Sequence, residues 1–386
     1  MIYVAFAGFS DLIQRLSGTV VLFGTGKRAR TLAKRLLSEN GSVTGLYAVS
    51  RKVPKEGVFQ AGDRELPVLA PSALSLEKTC ASLTILLTDE RNLKEDYMTL
   101  LQLGLPDSVS FSIAIAEYLS PAVSGKGCSQ LPSFPGHRIP RIIHTFWFSG
   151  EEKPPLYRRC LHSWKRVMPD VEIREWNLEN TDLSKSAFAI SAAKAQQWAF
   201  VSDYARLDVL CQYGGIYLDM DVLMLRPFDS LLNVQGFFAF DVNGRIDPGS
   251  GFGAEAGHPL LRNLLKRYEG HTYTEDAAFM QPDFLAPAFE RFGLQNDGTF
   301  QIIDQTVFYP RSYFSPLDSV AHLPYGDLSQ TFSCHLYESG WLSEKQRKRR
   351  ALRRKEYQSI IRLIGREKYH QAILKAIFAS QSNSEA

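Results

Sequence analysis

Apolar residues recur at helical spacing from Trp198 to Tyr213, and Gly214-Gly215 then end the helix. The period changes at once. From Ile216 to Leu223 the chain alternates as a strand does, so residues two apart share a face. That spacing puts Tyr217, Asp219 and Asp221 on one side, and Leu218, Met220 and Val222 toward a core. Two carboxylates on one strand face repel each other and are costly to desolvate. A divalent cation resolves the conflict, and hard oxygen ligands suit magnesium or manganese. On the preceding helix Asp203 and Arg206 are three apart and share a face. An acid beside an arginine, close to a carboxylate pair, suits a sugar nucleotide. The cation would take the diphosphate, the arginine would hold charge, and the acid would accept sugar hydroxyls. A surface helix followed by an edge strand with two solvated acids would satisfy the same pattern.

Two further stretches of pattern flank this one. Toward the N-terminus, Thr19–Phe23 predicts a strand, Gly24–Ala29 a tight turn, Arg30–Leu37 a helix and Val43–Val49 a second strand. The turn reads G-x-G-x-x-A, the opening of a Rossmann-type βαβ unit. Leu66–Leu69 and Leu83–Leu87 predict more strands, the first limited to an edge or a strand start by Pro67. A dinucleotide site of this type wants an acid at the end of the second strand for the ribose. Here that place holds Ala48-Val49-Ser50. Nucleotide binding and simple helix–strand packing both explain the glycines. Residues 1–120 are read as this Rossmann-like domain, and Pro121–Arg138, rich in proline, glycine and serine, as a linker. Beyond it, strands are expected at Arg141–Trp147, Val171–Trp176 and Phe237–Phe240. Helices are expected at Leu156–Val167 and His258–Tyr268; Ala187–Ala195 leads into the central helix, and Asp276–Phe292 is placed beside the site on the acceptor side with no catalytic role. Asp241, ending a strand, and the Gly249–Ala254 loop are placed to meet a sugar; a solvated turn acid fits Asp241 equally well.

The run S-D-Y-A-R-L-x-x-L-x-x-Y-G-G-I-Y-L-D-M-D-V, from Ser202 to Val222, resembles the D-x-D sugar-binding region of glycosyltransferase family thirty-two. Three other segments fit: Ile139–Trp147, Tyr309–Leu317 and His335–Trp341. The resemblance covers roughly Pro135 to Trp341 and leaves the first third unexplained. It implies a GT-A-like, Rossmann-related α/β catalytic domain over 139–341. It also implies a metal-dependent, retaining transfer of a hexosyl group from a nucleotide-sugar to a hydroxyl of a glycan or lipid-linked acceptor. Bacterial surface-polysaccharide enzymes and initiating mannosyltransferases are its typical members. By the same resemblance Asp221 binds Mn²⁺ or Mg²⁺ directly, and Asp219 reaches the ribose, or the metal through water. Asp203 and Arg206 orient the donor, and Trp147 stacks on the base. His335 completes the metal site, and Trp341 closes over the leaving diphosphate. A backbone-satisfied His335 and a core Trp147 are the alternatives. So are a nicotinamide-dependent sugar-nucleotide enzyme working through the first domain, and a non-catalytic binding protein on a dead transferase fold.

Composition adds limits. The 386 residues are 45% apolar and 12% aromatic, enough for packed cores, and the net charge of +3 calls for no nucleic acid. Five scattered cysteines without a C-x-x-C predict reduced thiols and no zinc site. With neither a leader nor a long apolar run, the expected location is cytoplasmic. The last segment, 342–386, differs. Lys345–Lys355 is densely basic, and Tyr357, Ile360, Ile361, Leu363 and Ile364 follow at helical spacing. This predicts a basic helical tail, suited to peripheral contact with an anionic membrane surface or to plain packing, with nucleic acid a less favoured third partner.

Overall fold

The structure is a computed structural model. It describes residues 1–4, 12, 15–39, 42–75, 82–89, 92–114, 131–241, 244–274, 281–317, 328–338, 344–363 and 375. The chain divides into two compact units: Met1–Ser124 with Lys348–Ala372, and Gly125–Arg347 with Ile373–Ala386.

In the first unit, seven strands form one sheet: β1 (Ile2–Tyr3), β2 (Gly18–Phe23), β3 (Val43–Val49), β4 (Val58–Ala61), β5 (Arg64–Leu69), β6 (Leu83–Leu87) and β7 (Val109–Ile113). Their order is β1-β7-β6-β2-β3-β5-β4, parallel except for the β4–β5 hairpin. Helices α1 (Lys27–Glu39) and α2 (Leu93–Gln102) lie between strands in sequence. The apolar runs of β2 and β6 are buried because a parallel sheet is covered on both faces. The glycine turn follows β2, whose neighbours β3 and β6 lie on opposite sides, which is the topological switch point of a doubly wound sheet. Just past the end of β3, Arg51 Nε donates to Asp96 Oδ1 at 2.7 Å. Burial raises the Asp96 carboxyl to about 6 even so. Asp96 is therefore engaged by a side chain of the unit itself.

The second unit is built on β8 (Ile142–Phe146), β9 (Glu172–Trp176), β10 (Gly215–Tyr217), β11 (Val222–Met224), β12 (Gly236–Ala239), β13 (Phe252–Ala254), β14 (Gln301–Ile303), β15 (Thr306–Tyr309) and β16 (Ser333–His335). Its helices are α3 (Pro155–Val167), α4 (Ala187–Lys194), α5 (Trp198–Tyr213), α6 (Pro259–Lys266) and α7 (Gln281–Arg291). A mixed sheet runs β14-β15-β12-β13-β10-β8-β9, and β11 pairs with β16 in a separate two-stranded sheet. Aromatic rings fill the core. Phe238 stacks between Phe252 and Phe308 at centroid distances of 5.2 and 5.6 Å, an arrangement worth about 0.5–1.5 kcal/mol per pair beyond area burial.

One expected element is corrected. Ile216–Leu223 is not a single strand. The chain leaves the main sheet after Tyr217, turns through Leu218–Asp221, and enters the small sheet at Val222. Leu218, Met220 and Val222 are nevertheless buried as the alternation required. Of the expected linker, residues 121–130 lie outside the described residues, as do residues 276–280 of the expected acceptor-side segment and Trp341. The basic segment is helical over α8 (Glu344–Leu363). Among the described residues, no helix is long and apolar enough to cross a membrane.

Candidate functional site

The parallel pair β8 and β10 sets the site, because their carboxyl ends open where a ligand sits in an α/β sheet. Close approach at the start of β10 requires glycine. At Gly215, φ is +111°, and a Cβ would lie 2.8 Å from Ile142 O and 2.9 Å from His144 Nε2. His144 itself is fully buried. Its Nε2 bonds Gly214 O at 2.9 Å, and Trp176 Nε1 donates to its Nδ1 at 3.0 Å. Burial pushes it down to about 4, so the ring is a neutral packing element.

The turn after Tyr217 carries both aspartates, and cross-strand pairing delivers the third partner. In the β11–β16 register Val222 faces His335, which puts the imidazole beside Asp221. His335 Nε2 stands 3.2 Å from Asp221 Oδ1 and 4.0 Å from Asp219 Oδ2. One ligand atom from each of Asp219, Asp221 and His335 falls within 4.8 Å of the others. Asp221 is also held by the following chain: Leu336 N–H donates to its carbonyl at 3.0 Å and Glu338 N–H to its Oδ2 at 2.8 Å. From behind, Trp164 Nε1 donates to Val222 O at 2.8 Å, and Met224 N–H to Ser163 Oγ at 2.9 Å.

Helix α5 brings Asp203 and Arg206 to the same cluster. Arg206 Nη2 donates to Asp203 Oδ1 at 2.5 Å, and its Nη1 lies 3.5 Å from Asp219 Oδ1. Its guanidinium lies 4.7 Å from the centre of the Tyr217 ring, and the Tyr217 hydroxyl donates to Asp219 Oδ1. Gln281 Nε2 donates to Asp203 O at 2.6 Å and to Tyr268 Oη at 3.1 Å.

Charge in this pocket is tightly balanced. Burial raises Asp203 to about 7 against the pull of Arg206. Burial likewise raises Asp219, opposed by Arg206 and His335. Burial also works against Asp221, but the His335 charge and the Glu338 N–H together hold it below the usual carboxylate range. His335 is the mirror case: desolvation disfavours its charge, and Asp221 and Asp247 more than reverse this.

Asp247 was not marked as a site residue in the sequence, and Ser250 entered only as part of the Gly249–Ala254 loop expected to meet a sugar. Asp247 Oδ2 is 3.8 Å from His335 Nδ1, and hydrogen bonds with burial opposed bring its carboxyl down to about 2. The signal was the D-P pair just ahead of that loop. Asp241, singled out instead, lies 3.6 Å from Arg245 Nη2, and the Arg245 Nη1 also pairs with Asp283. Tyr157 is another omission: burial and the nearby Asp221, Glu338 and Asp219 charges raise its hydroxyl. Trp147 reaches this neighbourhood through Tyr157, edge to face at 5.4 Å, while its Nε1 donates to Glu151 O at 2.7 Å.

The donor set fits a hard divalent cation. Two carboxylates and one imidazole suit manganese or magnesium and lack the thiolates a softer ion prefers. The surrounding loop presses closely on the cluster at Gly249, where a Cβ would lie 2.7 Å from Asp219 Oδ2 and 3.2 Å from Asp247 Oδ1.

A region known from sugar-transferring proteins coincides with this geometry. Residues 154–238 match the family described as glycosyltransferase sugar-binding region containing DXD motif. Among individual proteins, the chain is 26% identical over 204 residues to inositol phosphoceramide mannosyltransferase 1 of Schizosaccharomyces pombe, covering 47% of this chain and 62% of that protein. It is 32% identical over 95 residues to alpha-1,4-N-acetylglucosaminyltransferase of Homo sapiens, covering 24% and 26%. The chain thus spans less than two thirds of the length of these relatives. A solved structure, the PaToxG glycosyltransferase, is similar at a TM-score of 0.36 and 15% identity, over 41% of this chain and 70% of that one.

Proposed function

We propose that this protein is a metal-dependent, retaining hexosyltransferase of GT-A type. It would move a sugar from a nucleotide-sugar to a hydroxyl of a glycan or lipid-linked acceptor. The observation that carries the reading is the convergence of Asp219, Asp221 and His335 beside the Asp203–Arg206 pair.

Asp221 and His335 would hold the cation, with Asp219 shared between the cation and the donor. When bound, the ion supplies Lewis-acid neutralisation of charge developing on the diphosphate. Arg206 ties Asp203 to Asp219, so the group that accepts sugar hydroxyls and the group nearest the phosphates move as one. Trp147 would stack on the base. Retention is read as a front-face transfer. The acceptor oxygen bonds to the anomeric carbon as the carbon–phosphate oxygen bond breaks on the same face, and the acceptor proton passes to the released phosphate oxygen.

The test is a panel of nucleotide-sugars incubated with Mn²⁺, with nucleoside diphosphate release as the readout. The relatives put activated mannose and N-acetylglucosamine at its head. Slow release with at least one donor, abolished by chelator, is expected. No release from any donor would sink the proposal.

The raised Asp203 carboxyl predicts a pH limb. Below about 7 it takes a proton and loses acceptor capacity toward sugar hydroxyls. Donor kcat/KM, measured at saturating metal, should therefore fall as pH drops through 7, by up to about tenfold per unit. Asp203→Asn should be slow and flat over the same range; an unchanged limb in that variant would remove Asp203 as its source.

A further inference from the structure

The residues around His335 do more than surround it. Ser250, fully buried, donates its hydroxyl proton to Asp247 Oδ2 at 2.5 Å, and its Oγ lies 3.4 Å from His335 Nδ1. A serine hydroxyl has one proton. Committed to Asp247, it leaves only lone pairs for the imidazole, so Nδ1 must carry its own hydrogen. In the neutral form that a ligand must adopt, the free electron pair is then at Nε2, on the side of Asp221 Oδ1 and Asp219 Oδ2.

Four other contacts stiffen this arrangement. Asp247 Oδ1 accepts from Gly249 N–H at 3.1 Å, and Asp247 N–H donates to Ala239 O at 3.0 Å, anchoring the loop to β12. The Tyr337 ring stacks on the imidazole at a centroid distance of 4.1 Å. Tyr337 adopts φ +51°, a left-handed conformation uncommon for an aromatic residue, and its hydroxyl lies 2.6 Å from Ser315 Oγ. A flip of the imidazole would break its contact with Ser250 Oγ.

We propose that Asp247, acting through Ser250, is the positioning element that fixes the His335 tautomer and presents Nε2 to the divalent cation. Ligating histidines are commonly oriented in this way, with the second ring nitrogen bonded to an outer acceptor, and losing that acceptor weakens metal binding by about 10–100-fold. The inference rests on the metal-dependent reading above and adds residues that the D-x-D pattern does not contain.

Two variants separate orientation from folding. Asp247→Asn removes the charge at the end of the relay. Ser250→Ala removes the middle hydroxyl and leaves every carboxylate in place. Mn²⁺ binding is titrated by the electron paramagnetic resonance signal of the free ion, alongside the melting temperature. The expected result is an Mn²⁺ Kd raised about 10–100-fold in both variants, at a melting temperature within a few degrees of wild type. A Kd within about twofold of wild type in Ser250→Ala would overturn the relay while wild-type Mn²⁺ binding keeps the parent reading. If Asp247→Asn does not fold, Ser250→Ala decides alone, and unfolding of both overturns the proposal. Wild-type protein that takes up no Mn²⁺ overturns the parent reading, and the relay with it.

Discussion

Asp221→Asn is expected to lower kcat by at least about 10³-fold, roughly 4 kcal/mol of lost transition-state stabilisation. The substitution is isosteric. It keeps an oxygen for the Glu338 N–H and leaves the Leu336 N–H to backbone bond untouched. What it removes is the charge that faces His335 Nε2 at 3.2 Å. The far-UV circular dichroism and the melting temperature should therefore stay close to those of the parent, while initial rates collapse at every metal concentration. Near-normal turnover by this variant in the presence of chelator would refute a metal role for the pair.

The second large effect needs only one carbon. Gly249→Ala is conformationally allowed, because the residue lies outside the left-handed region. Its new methyl would nevertheless meet Asp219 Oδ2 at 2.7 Å and Asp247 Oδ1 at 3.2 Å. The nearest atom met is the Asp219 carboxylate, so Asp219 must yield, together with its contacts to Tyr217 and Arg206. A shift of about 1 Å in a positioned group costs about 10²-fold in rate. Measured kcat should fall by that factor, and the unfolding midpoint should move by little. Wild-type kinetics for Gly249→Ala would show that the loop does not press on the aspartate during turnover.

How far the sequence alone reached follows from where each signal resides. Helix α5 was legible because its apolar period and its glycine stop are both local. The carboxylates were legible as a pair, but their setting was not. Leu218 and Met220 are buried by tertiary packing on a turn, and this mimics the alternation of a strand. In the first unit the β2–turn–α1–β3 order could be read directly, whereas the Arg51–Asp96 contact joins residues 45 apart and has no local trace. Ser250 and His335 are 85 apart, and no spacing rule connects them. His335 was reachable only by resemblance, and Asp247 was overlooked because an aspartate before Pro-Gly looks like any turn former.

The two-stranded β11–β16 sheet has a consequence for how the molecule comes into being. Asp221 and the Glu338 amide that clamps it are 117 positions apart in the chain. During synthesis the aspartates emerge with most of their unit still to follow, and the strand bearing the imidazole arrives near that unit's end. The Asp219–Asp221–His335 cluster is therefore finished late, so an incomplete nascent chain holds two acids without the imidazole. On the metal-dependent reading proposed above, competence for the ion would come only once the surrounding architecture has closed.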